Sequence, residues 1–258
     1  MSYFDAVILG LVQGLTEFLP VSSSGHLVMA QTFLGVAAPG VFLEVALHVA
    51  TLLSVMIVYS RKLGELLVGT VRREPEALRY VGLLVLATLP VVVIGLLFRD
   101  AIETAFDTPY VTGFMLLVTG LLLYSTTWGG HDGTHDQPRT RHALAMGFAQ
   151  CLALLPGISR SGSTIAAGLW TDLRGERAAE FSFLMSLPAI AGAAVLQVPE
   201  VRGATLDGPL VTGFLVALVA GVAAIKSLVW LVRRQGFHHF AWYVWAVGLF
   251  FLGYLYLG

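Results

Sequence analysis

The sequence predicts an all-α integral membrane protein, an inverted-topology repeat with six transmembrane helices and two re-entrant helical hairpins, ten helices in all. Three observations lead there: a composition too apolar for a soluble globule, two apolar regions broken midway by Ser, Gly and Pro, and a fixed spacing at which those breaks copy one another. The whole of 1–258 reads as one polytopic domain, with repeat halves at about 1–128 and 143–258.

Hydrophobic residues make up 57% of the chain and charged residues 12%, which leaves too few polar side chains to cover a water-facing surface. The mean hydropathy of +0.80 says the same. The formal net charge of -1 provides no field for nucleic acid, and no nucleic-acid partner is expected. Cys151 is the single cysteine, so an intrachain disulfide is impossible. No basic segment opens the chain at Met1-Ser2-Tyr3-Phe4-Asp5, which argues against a cleaved signal peptide.

Apolar stretches fall at roughly 41–60, 80–98, 110–128, 181–198, 210–232 and 240–257. Each is near the ~20 residues that cross a bilayer core at about 1.5 Å per residue. Two further regions, 6–36 and 143–170, are interrupted at Pro20-Val21-Ser22-Ser23-Ser24-Gly25-His26 and at Pro156-Gly157-Ile158-Ser159-Arg160-Ser161-Gly162. Their flanks are half-length helices. Non-helical backbone at membrane depth is tolerated only against protein or a wet cavity, so both regions read as re-entrant hairpins.

A shift of 137 positions superimposes the hairpins without a gap: Gly10 on Gly147, Gln13 on Gln150, Leu15 on Leu152, Ser22 on Ser159, Ser24 on Ser161 and Gly25 on Gly162. Such matches inside a break point to an internal duplication. Threading the six spans puts Arg61, Lys62, Arg72, Arg73, Arg79, Arg139, Arg141, Arg174, Arg177, Arg233 and Arg234 on one side and only Arg99 and Arg202 on the other. By the positive-inside rule the first side is cytoplasmic. The hairpins then open from opposite faces, as an inverted repeat requires.

Chemistry is expected where the two breaks meet, because a charge inside a membrane is costly and by default functional. Glu17 and Arg160 are the clearest such charges, with His26 and the hydroxyls of Ser22, Ser23, Ser24, Ser159, Ser161, Ser163 and Thr164 beside them. Gln13 and Glu17 are four residues apart and share a helix face, so their oxygens suit one hard divalent cation, Mg2+ or Ca2+. Arg160 presents a planar fork for phosphate next to helix-start amides that favour anions, at Ser159-Arg160-Ser161-Gly162. His26 is an imidazole that titrates near neutral pH and can move a proton.

Plainer readings stand beside these. Ser and Gly at a break often only cap half-helices and let backbones approach, and Glu17 with Arg160 can form a structural ion pair. Glu44 and His48 share a face and can border the site, although packing or capping accounts for such a pair. Lys226 reads as snorkelling to an interface. The loop from His131 to His142, with three histidines and two aspartates, has no metal-ligand spacing and reads as solvated.

Gln13-Gly14-Leu15-Thr16-Glu17-Phe18-Leu19-Pro20-Val21-Ser22-Ser23-Ser24-Gly25-His26 together with Pro156-Gly157-Ile158-Ser159-Arg160-Ser161-Gly162 closely resembles the undecaprenyl-diphosphate phosphatase family of the bacitracin-resistance type. The resemblance covers almost the whole chain. It implies an interdigitated inverted repeat in the cell membrane, a pocket opening to the outer face, a homodimer, and a divalent cation. The implied activity is hydrolysis of a polyprenyl diphosphate to the monophosphate and inorganic phosphate, recycling the lipid carrier of cell-wall glycans, with tolerance of bacitracin. Matching the motifs residue by residue implies Glu17 as metal or base residue, His26 for proton transfer, Ser23 as nucleophile and Arg160 as phosphate clamp. Ser22, Ser24, Ser159, Ser161, Gly162 and Thr164 would bind substrate, and Gln13 and Glu17 the metal. Many family members have Glu where this chain has Gln13, which keeps an oxygen ligand but removes a charge. The family pattern leaves open whether Ser23 attacks phosphorus or positions water.

Rival classes are distinguishable. A polyprenyl-phosphate transporter would use the same broken helices and inverted repeat but release no phosphate. The acid-phosphatase-like lipid phosphatases need a second His downstream of the Arg, and here none follows Arg160 before His238 and His239. A non-catalytic scaffold has no need of Glu17, His26 and Arg160 together.

Overall fold

The computed structural model describes residues 1–34, 40–128, 133–197 and 207–257. Its first half holds α1 (Tyr3–Thr16), α2 (Ser23–Leu34), α3 (Gly40–Val58), α4 (Ser60–Val71), α5 (Pro75–Leu97), α6 (Arg99–Phe106) and α7 (Pro109–Ser125). The second holds α8 (Thr140–Leu152), α9 (Arg160–Trp170), α10 (Gly175–Gln197), α11 (Gly208–Arg233) and α12 (Phe240–Leu257). Helices α5, α11, α7 with its 3-10 extension to Trp128, and α12 with the 3-10 turn from Phe237 are long and apolar enough to cross a membrane. The pair Val45–Val58 and Ser60–Val71, bent by 76°, makes a fifth if taken as one broken span. The chain is therefore an all-helical, multi-pass membrane protein. The expected stretch at 181–198 falls on α10; residue 198, Arg202, His131 and Asp132 lie outside the described residues, as does the Glu44 side chain.

Local signals set the helix ends. Ser2 caps α1 in a reciprocal capping box with Asp5, and Asp207 caps α11 by accepting from the Leu210 amide. Pro75 and Pro109 open α5 and α7, where their missing N–H costs nothing. The expected ten helices become twelve among the described residues, because α4 and α6 are helical too. Both are short and amphipathic, with Arg61–Glu65 and Arg99–Glu103 pairs one turn apart. Their charges hide them from a search for apolar stretches.

Polarity is distributed inside out. Large apolar side chains face outward along α5 (Leu89, Val93, Leu96), α11 (Leu215, Val219) and α12 (Leu249, Phe250), while Gln13, Glu17, Ser159, Ser163, Thr164 and Ser182 are buried. Only a lipid surround makes that arrangement stable. Inside it, small residues let the half-helices seat on the long ones. A Cβ at Gly10 or Gly14 of α1 would lie 2.5 Å from the Gly213 or Ala217 carbonyl of α11. At Gly147 of α8 it would lie 2.6 Å from the Ala87 carbonyl of α5. The 133–139 segment packs on the α9–α10 turn: His135 bridges to Leu173, Thr134 bonds Asp172, and Arg174 pairs with Asp136. The Thr134 hydrogen bonds hold the Asp172 carboxyl below the usual range.

Candidate functional site

The breaks at 17–22 and 153–159 meet one another. Ser22 takes a left-handed backbone, φ 69°, just before α2 begins. Gly157 sits at φ 95°, where a Cβ would also run into the Thr112 carbonyl, so no other residue suits the position. From α7, Thr119 braces this second break, accepting from the Ser159 amide at 3.0 Å and donating to the Gly157 carbonyl at 2.8 Å. Ser159 caps α9 by accepting from the Gly162 amide at 3.1 Å, which sets Arg160 as the first helical residue. Across the breaks, Ser161 donates to the Leu19 carbonyl at 3.2 Å.

Glu17 is the hub. One carboxylate oxygen accepts from Arg160 Nη2 at 2.7 Å; the other accepts from Ser23 Oγ at 2.7 Å and from Gln13 Nε2 at 3.1 Å. His48 Nε2 stands 3.9 Å from the second oxygen. Glu17, Ser23, Ser24, Ser159, Arg160 and His48 line a cavity of about 460 Å³. Its lining is completed by apolar residues, among them Val91 of α5, Ile102 and Phe106 of α6, and Ile190 of α10.

Several expected site residues lie outside the cavity lining. Gln13 is fully buried one turn before Glu17. The Ser22 and Ser161 hydroxyls meet those of Ser24 and Ser159 at 3.3 and 3.2 Å. Thr164 bonds the Arg160 carbonyl at 2.7 Å and Ser182 at 2.6 Å, and Gly162 packs against Ser159 and Pro20. In this structure these groups stand behind the cavity lining and make contacts within the breaks. His26 turns away as well. Its Nδ1 lies 2.8 Å from the Ser22 carbonyl, which can only accept, so Nδ1 carries the proton and Nε2 accepts from Tyr243 Oη at 2.9 Å. The place beside the Ser23 hydroxyl belongs to Glu17.

The cavity also takes in His48, which the sequence allows to border the site, and residues beyond the expected set. Among these, Gln150 lines it and α6 supplies part of its wall. The copying of Gln13 onto Gln150 was the available signal for the former. Buried side-chain atoms without a hydrogen-bond partner, among the described residues, are Gln13 Oε1, both amide atoms of Gln150, Arg160 Nη1 and Thr70 Oγ1. All but the last are in the two hairpins. A second cavity of about 450 Å³ lies between Arg174, Glu176, Arg233 and His238, but Arg174 pairs with Asp136 and Arg233 with Glu176.

A resident cation would find few ligands. No group of three His, Cys, Asp or Glu able to hold a metal is present among the described residues. Gln13 Oε1 and the Glu17 carboxylate are two hard oxygens, enough for a cation that takes its remaining ligands from phosphate and water. The donor set fits a substrate-borne Mg2+ or Ca2+ better than a permanent protein cage.

A family model described as bacitracin resistance protein BacA matches residues 6–250. Curated relatives named undecaprenyl-diphosphatase include that of Syntrophotalea carbinolica, 43% identical over 256 residues, and that of Desulforapulum autotrophicum, 37% identical over 267; each alignment covers 96% of this chain and 97% of the relative. The relative from Rubrobacter xylanophilus is 42% identical over 262 residues, with 96% of each chain covered. Matched over nearly its whole length by both, the chain belongs to the bacitracin resistance protein BacA family.

Proposed function

We propose that this protein is an undecaprenyl-diphosphatase, hydrolysing a polyprenyl diphosphate to the monophosphate and inorganic phosphate. The observation that carries the reading is the Ser23 hydroxyl donating to the Glu17 carboxylate at 2.7 Å on a cavity wall, with Arg160 bonded to the other carboxylate oxygen. A nucleophile, a base and a phosphate-binding cation stand together there. A lining that combines these polar groups with apolar residues suits a lipid whose headgroup reacts while its tail stays in hydrocarbon.

In this mechanism Ser23 Oγ attacks the terminal phosphorus and gives its proton to Glu17. The bond to the bridging oxygen breaks, and prenyl monophosphate leaves. Water then cleaves the phosphoseryl group, releasing inorganic phosphate and restoring Ser23. Negative charge spreads over the phosphoryl oxygens in the transition state, and Arg160 answers it through Nη1, which has no other partner, while Nη2 stays on Glu17. A divalent cation held by Glu17 and Gln13 Oε1 together with phosphate oxygens would neutralise further charge. His26 acts through the backbone: its Nδ1–H fixes the Ser22 carbonyl and so the turn that aims Ser23.

The same proposal includes six spans and an inverted repeat with hairpins α1–α2 and α8–α9. In support, contacts come in matched sets: α1 packs on α11 and α8 on α5, α11 packs on α3 and α5 on α10, and α7 pairs with α12. The cavity opening to the outer face and the homodimer implied by the resemblance belong to the proposal too, the latter checked by light scattering in detergent. The test of function is phosphate release by purified protein from undecaprenyl diphosphate, with and without chelator. Absence of phosphate, with transport of the lipid in vesicles instead, overturns the hydrolase reading.

A further inference from the structure

We infer that Gln150 binds the diphosphate headgroup directly through its side-chain amide. The inference rests on the hydrolase reading for the identity of the ligand, but the observation behind it is independent of Ser23 chemistry. Gln150 is 2% exposed and lines the cavity, and neither its Nε2 nor its Oε1 has a hydrogen-bond partner. A buried amide with nothing to bond is costly, and such groups usually await a partner. Gln13 and Arg160 are each tied to Glu17 by one nitrogen, whereas the Gln150 side chain is tied to nothing in the protein.

Comparison of the two hairpins shows why. Gln13 finds Glu17 one helical turn ahead, and the backbone of each glutamine stands in the last turn of its half-helix. Shifted by 137 positions, Glu17 corresponds to Leu154, which has no polar group to offer. The second hairpin therefore keeps the amide and lacks the acid. Nε2 can donate to a phosphate oxygen, and Oε1 can accept from a protonated phosphate or from water on the headgroup.

The test compares Gln150→Leu and Gln150→Met, apolar side chains of similar size, with the wild type. Because they delete an unpaired buried amide, the melting temperature of the ligand-free protein in detergent should stay level or rise. Meanwhile KM for undecaprenyl diphosphate should rise about tenfold with a smaller change in kcat, the scale of one lost hydrogen bond to a charged group. Thermal-shift titration with inorganic pyrophosphate, which carries the headgroup oxygens without the tail, reads binding without turnover and should show the same loss of affinity. A melting temperature lowered in both variants, with KM and pyrophosphate affinity unchanged, would mean a structural amide and overturn the inference. Should wild-type protein bind pyrophosphate but release no phosphate, the hydrolase reading fails while the weaker binding of the variants still upholds this assignment; unchanged binding in the variants refutes it.

Discussion

Tyr243 of α12 donates its hydroxyl to His26 Nε2 at 2.9 Å, with the two rings stacked 5.6 Å apart. Since Nδ1 is held by the Ser22 carbonyl, both imidazole nitrogens are engaged away from the Glu17–Ser23 pair. Removing the phenol oxygen by Tyr243→Phe should cost about 1 kcal/mol of stability and less than tenfold in kcat. His26→Ala removes the shorter of two hydrogen bonds to the Ser22 carbonyl, leaving the one from the backbone N–H of residue 26 at 3.3 Å, and so loosens the left-handed turn; its losses should be larger in both. Combined, the two substitutions should cost less than the sum of the singles, as expected for groups in one chain of hydrogen bonds. Strict additivity in kcat and melting temperature would separate His26 from Tyr243 and return it to proton transfer.

The Glu17–Arg160 ion pair allows structure and catalysis to be told apart. Arg160→Ala leaves a buried carboxylate uncompensated, a loss of roughly 3–5 kcal/mol, and should lower turnover by about a thousandfold. Adding Glu17→Gln removes the stranded charge, so the double variant should regain most of its melting temperature and none of its turnover. If Arg160→Ala alone lost melting temperature but kept near-normal turnover in the protein that remains folded, Arg160 would be serving the fold alone.

The two helix breaks were legible because hydropathy drops where Ser, Gly and Pro gather, and because Gln13 and Gln150 recur at one spacing before them. Helices α4 and α6 were not, since Arg61, Lys62, Arg99 and Glu103 interrupt the apolar pattern. Side-chain direction was beyond reach as well. His26 lies one turn from Ser23, so chain distance suggests one cluster, yet its partner comes from α12, 217 residues away. Likewise Gln13 and Glu17 do share a face, but one contact between them is an internal hydrogen bond from Nε2. Conversely, the meeting of Glu17 with Arg160 follows from the rule that charges inside a membrane seek one another.

Gln13→Glu sets a second carboxylate beside the buried Glu17. Like charges this close oppose joint ionisation, and a divalent cation relieves the repulsion. Activity at saturating Mg2+ or Ca2+ should stay within about threefold of wild type, while half-maximal activity should be reached at lower free metal. Titrations of phosphate release against free metal give the result. An inactive Gln13→Glu protein at every metal concentration would refute the shared oxygen face.

Sidedness tests the arrangement that brings the two breaks together. Single cysteines replacing Arg99 at the start of α6 or Asp207 at the cap of α11 should react in intact cells with an impermeant thiol reagent. Cysteines at Arg72, after α4, and at Arg234, after α11, should react only once the membrane is opened. Cys151, half-buried in the second hairpin, is replaced first so that every signal comes from the introduced thiol. Helix α11 carries the argument, because one 26-residue helix joins Asp207 to Arg234 and the two ends must report opposite sides. About 39 Å of helix at 1.5 Å per residue exceeds a bilayer core of ~30 Å. Labelling of both ends from outside would mean that α11 does not span. Since α1 packs along α11, that result would also displace Glu17 from membrane depth and leave its pairing with Arg160 without the reason given for it.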